Sequence, residues 1–81
     1  MQSNILFIDD DSAVLDALTW TFADEPYECF MCKTAGEALT LMAEMDFAVV
    51  VSDQRMPEMS GIDFLEKMKR QRPATIRILM T

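Results

Sequence analysis

The sequence predicts an α/β domain built on a parallel sheet. Four short apolar segments alternate with three segments of helical periodicity, an alternation typical of parallel strands joined by right-handed crossovers. The strand segments are almost uninterrupted apolar runs, as expected when both faces of a sheet are covered. With 81 residues, the chain has the length of one domain, so we expect residues 1–81 to form a single unit.

The first strand and helix are predicted from the N-terminal third. Residues 4–8 form a short run rich in Ile and Phe that ends abruptly in three aspartates. Apolar residues then recur at three- and four-residue spacing between Val14 and Phe22, which predicts an amphipathic helix. Either Asp11 or Ser12 can serve as its N-cap.

The central part predicts a strand, a helix and a second buried strand. Residues 27–32 are expected to form a strand. Thr34 followed by Glu37 has the capping-box form and predicts a helix that runs to Met45. Residues 47–51 are the clearest strand of the chain, because they are apolar, mostly β-branched and uncharged.

The last predicted helix and strand follow a polar loop. Ile62, Leu65 and Met68 mark one helical face, Pro73 stops the helix, and residues 76–80 form the fourth strand. We expect the basic residues near the helix end to be solvated; they are Lys67, Lys69, Arg70 and Arg72.

Composition excludes several classes of function. With 14 acidic and 7 basic residues the net charge is −7, so the chain lacks the basic surface that nucleic acid requires. There is no His, which excludes His–metal sites and a His general base. No apolar run has the length of about 20 residues that a membrane span needs, and the N-terminus does not resemble a secretory signal.

The two cysteines do not form a disulfide framework, so we expect a reducing, cytoplasmic setting. Cys29 and Cys32 fall in a predicted strand at an odd separation, which places them on opposite faces as structural residues. We expect Trp20 to pack on or beside the first helix.

Carboxylates follow two of the predicted strands. Asp9 and Asp10 end the first strand, and Asp53 ends the third. Sites in open α/β sheets form beyond the carboxyl ends of the strands, so the three acids converge if these strands are neighbours. Like charges this close favour a divalent cation such as Mg²⁺, beside which one carboxylate can attack phosphorus.

At these residues the chain resembles a known family. ILFIDDD at 5–11, VVVSDQRMP at 49–57, Gly61 and ILMT at 78–81 are similar, in order and separation, to the receiver domain of two-component response regulators. The resemblance covers essentially the whole chain. It implies a flavodoxin-like three-layer sandwich whose parallel strands follow the order 2-1-3-4-5.

The resemblance implies a role for each site residue. Asp53 matches the aspartate that accepts a phosphoryl group and also ligates the metal. Asp10 matches the direct Mg²⁺ ligand, and Asp9 the acid that acts through a water. Arg55 stands where the family supplies a backbone carbonyl to the metal, and Thr81 where a hydroxyl binds the phosphoryl group.

The resemblance further implies a signalling domain and not an enzyme. Its partners would be a histidine kinase or phosphotransfer domain and an output domain. Receivers continue through a fourth helix, a fifth strand with a following Lys, and a fifth helix. We therefore expect a truncated (βα)₃β fragment with impaired switching, whose exposed fourth strand leads to a dimer or a strand-swapped assembly.

Two other functions remain open. Asp9 and Asp11, as Asp-x-Asp after a strand, are similar to the nucleophile motif of haloacid-dehalogenase-like phosphotransferases and phosphatases. A pseudo-receiver would act only as an interaction module.

Overall fold

The strands and helices are those that the sequence predicts. A computed structural model describes residues 3–80. Its seven elements are β1 (Asn4–Ile8), α1 (Ser12–Thr21), β2 (Glu28–Cys32), α2 (Ala35–Glu44), β3 (Val49–Asp53), α3 (Gly61–Gln71) and β4 (Ile76–Met80). The strands form one parallel sheet in the order β2-β1-β3-β4, which confirms the first four positions of the expected order.

The third strand begins two residues later than predicted. Phe47 precedes β3, and its ring lies edge-on to Phe30 with the centroids 5.4 Å apart. The carbonyl oxygen of Phe47 accepts a hydrogen bond from the Thr75 hydroxyl at 3.0 Å. These tertiary contacts hold Phe47 in the approach to the strand, and the strand correspondingly extends to Asp53.

Helices cover the sheet on both faces and make three layers. On one face, Leu15 of α1 packs with Ile5, Phe7 and Val51 of the sheet. On the other face, α2 and α3 cover a larger apolar cluster. Its buried members are Leu6, Ile8, Cys32, Ala35, Ala38, Met42, Phe47, Val50, Phe64 and Met68.

Each helix begins at a side-chain cap. The Asp11 carboxylate accepts the Ala13 N–H at 2.9 Å, and the Thr34 hydroxyl accepts the Glu37 N–H at 3.1 Å. Ser60 caps α3 in the same way through its hydroxyl. Such caps satisfy N–H groups that the first helical turn leaves unpaired. The predicted caps of the first two helices, Asp11 and Thr34, are confirmed.

The basic residues at the end of α3 differ in their surroundings. Lys67, Lys69 and Arg70 are exposed, as predicted. The Arg72 side chain is 40% exposed, but it also makes contacts that the prediction did not include. Its Nη2 donates to the Met42 carbonyl at 3.0 Å, and its Nε lies 3.3 Å from the Asp46 carboxylate. Arg72 therefore ties the end of α3 to the end of α2.

The prediction that Trp20 packs on or beside the first helix is wrong. Its side chain is 82% exposed on α1. Trp20 follows the buried Leu15 by five residues. In a helix with 3.6 residues per turn this separation is a rotation of about 140° around the axis, so Trp20 faces away from the sheet.

The cysteines are placed as predicted. Cys29 contacts the α1-side cluster and Cys32 belongs to the α2–α3 side, and both thiols are free. Burial raises the pKa of Cys32 to about 11, which keeps it a thiol. Among the described residues, no helix is long and apolar enough to cross a membrane.

Candidate functional site

The carboxyl ends of β1 and β3 lie side by side. These strands pair in parallel up to Ile8 and Ser52, so the residues that follow them meet at one edge of the sheet. One carboxylate oxygen each from Asp9, Asp10 and Asp53 lies within 4.8 Å of the others. The structure therefore brings together the three acids that the sequence placed at strand ends.

Asp9 is the innermost acid of the three. Only 5% of its surface is exposed, and its Oδ1 accepts the Asp11 N–H at 2.9 Å. Burial raises the pKa of Asp9 above its ordinary value, the charges of Asp53, Asp10 and Asp11 raise it further, and the hydrogen bond from Asp11 opposes them. The cluster thus carries a repulsion that a bound cation would relieve.

The donor set fits Mg²⁺. This ion prefers hard oxygen ligands at about 2.1 Å, so two of its ligands lie at most about 4.2 Å apart. A spread within 4.8 Å is compatible with two direct ligands and a third acid acting through water. One oxygen of Asp9 already accepts the Asp11 N–H. Asp10 is exposed and free to reach an ion.

Packing and hydrogen bonds fix the backbone of Asp53. The buried Ser52 hydroxyl donates to the Asp53 carbonyl oxygen at 3.0 Å. Gly61, the first residue of α3, approaches the same carbonyl so closely that a Cβ there would stand 2.3 Å from its oxygen. The end of β3 and the start of α3 therefore form one tightly packed junction.

Gln54 belongs to this junction, and sequence reasoning missed it. Its Oε1 accepts the Ile62 N–H at 3.1 Å, and its main-chain oxygen accepts the Gly61 N–H at 2.9 Å. A glutamine seven residues before a helix has no standard capping spacing, so no sequence pattern indicates this contact.

The loop between β3 and α3 forms one side of the site. It lines an open cavity of about 430 Å³ together with Asp10. Arg55 is exposed in this loop. Its predicted carbonyl ligand stays a prediction, and Thr81 lies outside the described residues.

Asp11 is not one of the three acids gathered within 4.8 Å. Its carboxylate caps α1 by accepting the Ala13 N–H. An Asp-x-Asp phosphatase would need this second carboxylate at the reacting group, so the cap disfavours that alternative.

A comparison with family models matches the response regulator receiver domain over residues 5–81. The curated relatives include the hydrogenase transcriptional regulatory protein HoxA of Cupriavidus necator, 32% identical over 99% of this chain and 16% of the relative. The regulatory protein AtoC of Escherichia coli is 38% identical over 98% of this chain and 17% of its own length. The chain thus spans less than a fifth of these two relatives.

Solved structures agree with the family match. The signal receiver domain of an HD domain-containing protein from Pseudomonas fluorescens superposes with a TM-score of 0.93 at 31% identity, covering 96% of this chain and 57% of that one. The response regulator TrrA of Thermotoga maritima, solved with Mg²⁺-BeF, gives 0.88 at 25% identity over 98% of this chain and 68% of that one.

A parallel sheet in the order 2-1-3-4, with acids gathered at the ends of its first and third strands, defines a flavodoxin-like receiver domain. The chain belongs to the response regulator receiver family of two-component systems.

Proposed function

We propose that the chain is a phosphoacceptor that takes a phosphoryl group onto Asp53 with the help of Mg²⁺. The observation that carries this proposal is the gathering of Asp9, Asp10 and Asp53 within 4.8 Å at one sheet edge. The donor would be the phosphohistidine of a histidine kinase or phosphotransfer domain in the cytoplasm.

The proposed chemistry uses the three gathered carboxylates. A carboxylate oxygen of Asp53 attacks phosphorus, the P–N bond breaks, and its electron pair leaves with the imidazole, which gives an acyl phosphate. Asp10 and Asp9 would hold the metal, directly and through water, and Arg55 would offer its main-chain carbonyl. The resemblance to receivers assigns the hydrogen bond to the phosphoryl group to the Thr81 hydroxyl. Bound Mg²⁺ would supply positive charge that offsets the charge on the phosphoryl oxygens.

Phosphorylation would regulate an output domain. HoxA and AtoC are both named as regulatory proteins and are several times longer than this chain. The receiver would pass its signal within such a protein, without binding nucleic acid itself.

The test is adduct formation with beryllofluoride, a phosphoryl analogue, followed by ¹⁹F NMR in the presence of Mg²⁺. We expect a bound-fluoride signal for the wild type and for the control Asp16→Asn, an exposed acid on α1. Asp53→Asn should give none. A signal that survives Asp53→Asn but vanishes with Asp9→Asn would favour the phosphatase alternative, and no wild-type signal would favour a pseudo-receiver.

We also propose that the 81-residue chain self-associates. Ile76 and Ile78 of β4 pair with Val49 and Val51, and so share the α1 side of the sheet. They are 59% and 46% exposed, beside a strand at the edge of the described sheet. A second copy that covers this face or extends the sheet would bury it.

A further inference from the structure

Gln54 joins three elements immediately after the proposed phosphoacceptor. Its N–H donates to the Met80 carbonyl of β4 at 3.3 Å. Its main-chain and side-chain oxygens accept the Gly61 and Ile62 N–H groups of α3. A single residue thus connects the end of β3 to the neighbouring strand and to the following helix.

The start of α3 depends on Gln54 as much as on its N-cap. The first four N–H groups of a helix have no partner within the helix. In α3 the N–H groups of residues 61–63 precede the first intrahelical bond, which Phe64 donates to the Ser60 carbonyl. Gln54 accepts the first two, and the Ser60 hydroxyl accepts the third. Loss of the Gln54 side chain would leave the Ile62 N–H without this acceptor.

The position of α3 affects the position of the Asp53 peptide group. Gly61 lies against the Asp53 carbonyl with no room for a Cβ, so a shift of the first helical turn moves that peptide group. Gln54 also stands between Asp53 and Arg55, which are the side-chain and the main-chain ligands expected in this segment.

We propose that Gln54 is a positioning residue for the metal and phosphoryl site. By accepting the Ile62 N–H, its carboxamide holds the start of α3 against the end of β3. This contact keeps the Asp53 carboxylate and the Arg55 carbonyl within reach of the acids on β1. The proposal rests on the proposed function, since it assigns Gln54 a part in that same site.

The experiment compares Gln54→Leu, which removes the acceptor, with Gln54→Glu, which keeps a carbonyl-type oxygen at the same length. Gln71→Leu is the matched control, because Gln71 is an exposed glutamine at the other end of α3. Two quantities are measured on the 81-residue chain: amide hydrogen exchange at Ile62 without metal, and Mg²⁺ affinity by titration calorimetry.

We expect Gln54→Leu to speed exchange at Ile62 and to lower Mg²⁺ affinity by about tenfold, the scale for residues that orient metal ligands. Gln54→Glu should keep Ile62 exchange slow and restore the affinity, and Gln71→Leu should match the wild type in both. If Gln54→Leu does not fold, Gln54→Asn, which keeps the amide one methylene too short, should show the same two effects.

Faster exchange with unchanged Mg²⁺ affinity would make Gln54 a purely structural residue and overturn the proposal. Unchanged exchange would overturn it too, because the hydrogen bond would then not hold α3. In both cases the wild type still binds Mg²⁺, so the proposed function stands. A wild type that binds neither Mg²⁺ nor beryllofluoride overturns the proposed function and this proposal together.

Discussion

Asp9 is buried at a position where its charge opposes folding. In the folded chain its pKa lies above the ordinary value of 3.8, chiefly because of burial. The folded state therefore binds this proton more tightly than the unfolded state does. The stabilisation is fully present below pH 3.8 and is lost as the pH rises through the raised pKa.

We therefore predict that Asp9→Asn raises the melting temperature at neutral pH without metal. Asparagine removes the charge and keeps an oxygen for the Asp11 N–H. Thermal unfolding in EDTA from pH 4 to pH 8 should show the wild type losing stability, relative to the variant, as the pH rises. Asp16→Asn is the control variant. A wild-type melting temperature that rises relative to that of Asp9→Asn as the pH rises would contradict the prediction.

Added metal should reduce the difference in stability between the wild type and Asp9→Asn. A cation that binds only the folded state stabilises it in proportion to the logarithm of its concentration over Kd. Millimolar Mg²⁺ should therefore raise the melting temperature of the wild type more than that of Asp9→Asn.

The positions of residues at strand ends could be predicted from the sequence, whereas contacts that depend on how the loops fold could not. The site at Asp9, Asp10 and Asp53 could be predicted from the positions of two strands and the rule that parallel strands end at one edge, once the resemblance to receivers made β1 and β3 neighbours. Gln54 reaches a residue eight positions away, and Arg72 reaches one thirty positions away. Neither separation corresponds to a local motif, so both contacts require the folded path of the loops.

The starting points of the elements show the same difference: those set by local hydrogen bonds could be predicted, and the one set by tertiary contacts could not. The caps at Asp11 and Thr34 follow from short-range hydrogen bonds and were predictable. The start of β3 depends on Phe47, which is held by Phe30 and Thr75 from distant segments. Its two-residue shift therefore could not be inferred from apolar pattern alone.

The two glycines offer a matched test of the β3–α3 junction. A Cβ at Gly61 would stand 2.3 Å from the Asp53 carbonyl oxygen and 2.7 Å from Leu79 Cδ1. Gly61→Ala must push α3 away from the sheet, and overpacking of this kind typically costs about 1–3 kcal/mol. We predict that loss of stability in urea unfolding, together with weaker Mg²⁺ binding as Asp53 moves.

Gly36 in the first turn of α2 is the control. A Cβ there would lie 3.6 Å from the Glu58 carboxylate, an ordinary contact, and the backbone φ is not positive. Gly36→Ala should therefore stabilise the chain by about 0.5 kcal/mol, mainly by restricting the unfolded state. Equal effects of the two substitutions would show that Gly61 is not at a close approach.

At the scale of the whole molecule, the strand alternation was readable from the sequence but the strand order was not. Continuous apolar runs and helical periodicity predict a parallel sheet without saying which strands are neighbours. The order 2-1-3-4 came from the resemblance to receivers, and the structure confirms it. The site depends on that order, because β1 and β3 meet only when they are adjacent.

The exposed side of β4 makes association of the 81-residue chain a testable property of the molecule. Ile78 is 46% exposed on the α1 side of the sheet, whereas Ile62 is 51% exposed on α3, over the opposite face. If a second copy covers the β4 face, Ile78→Lys places a charge inside the contact and Ile62→Lys does not. We predict that Ile78→Lys weakens association by about tenfold or more, equivalent to about 1.4 kcal/mol, while Ile62→Lys leaves it unchanged. Light scattering after size exclusion, over a range of concentrations, measures the mass. A wild type that stays monomeric and soluble throughout would refute association, and equal effects of both substitutions would place the contact elsewhere.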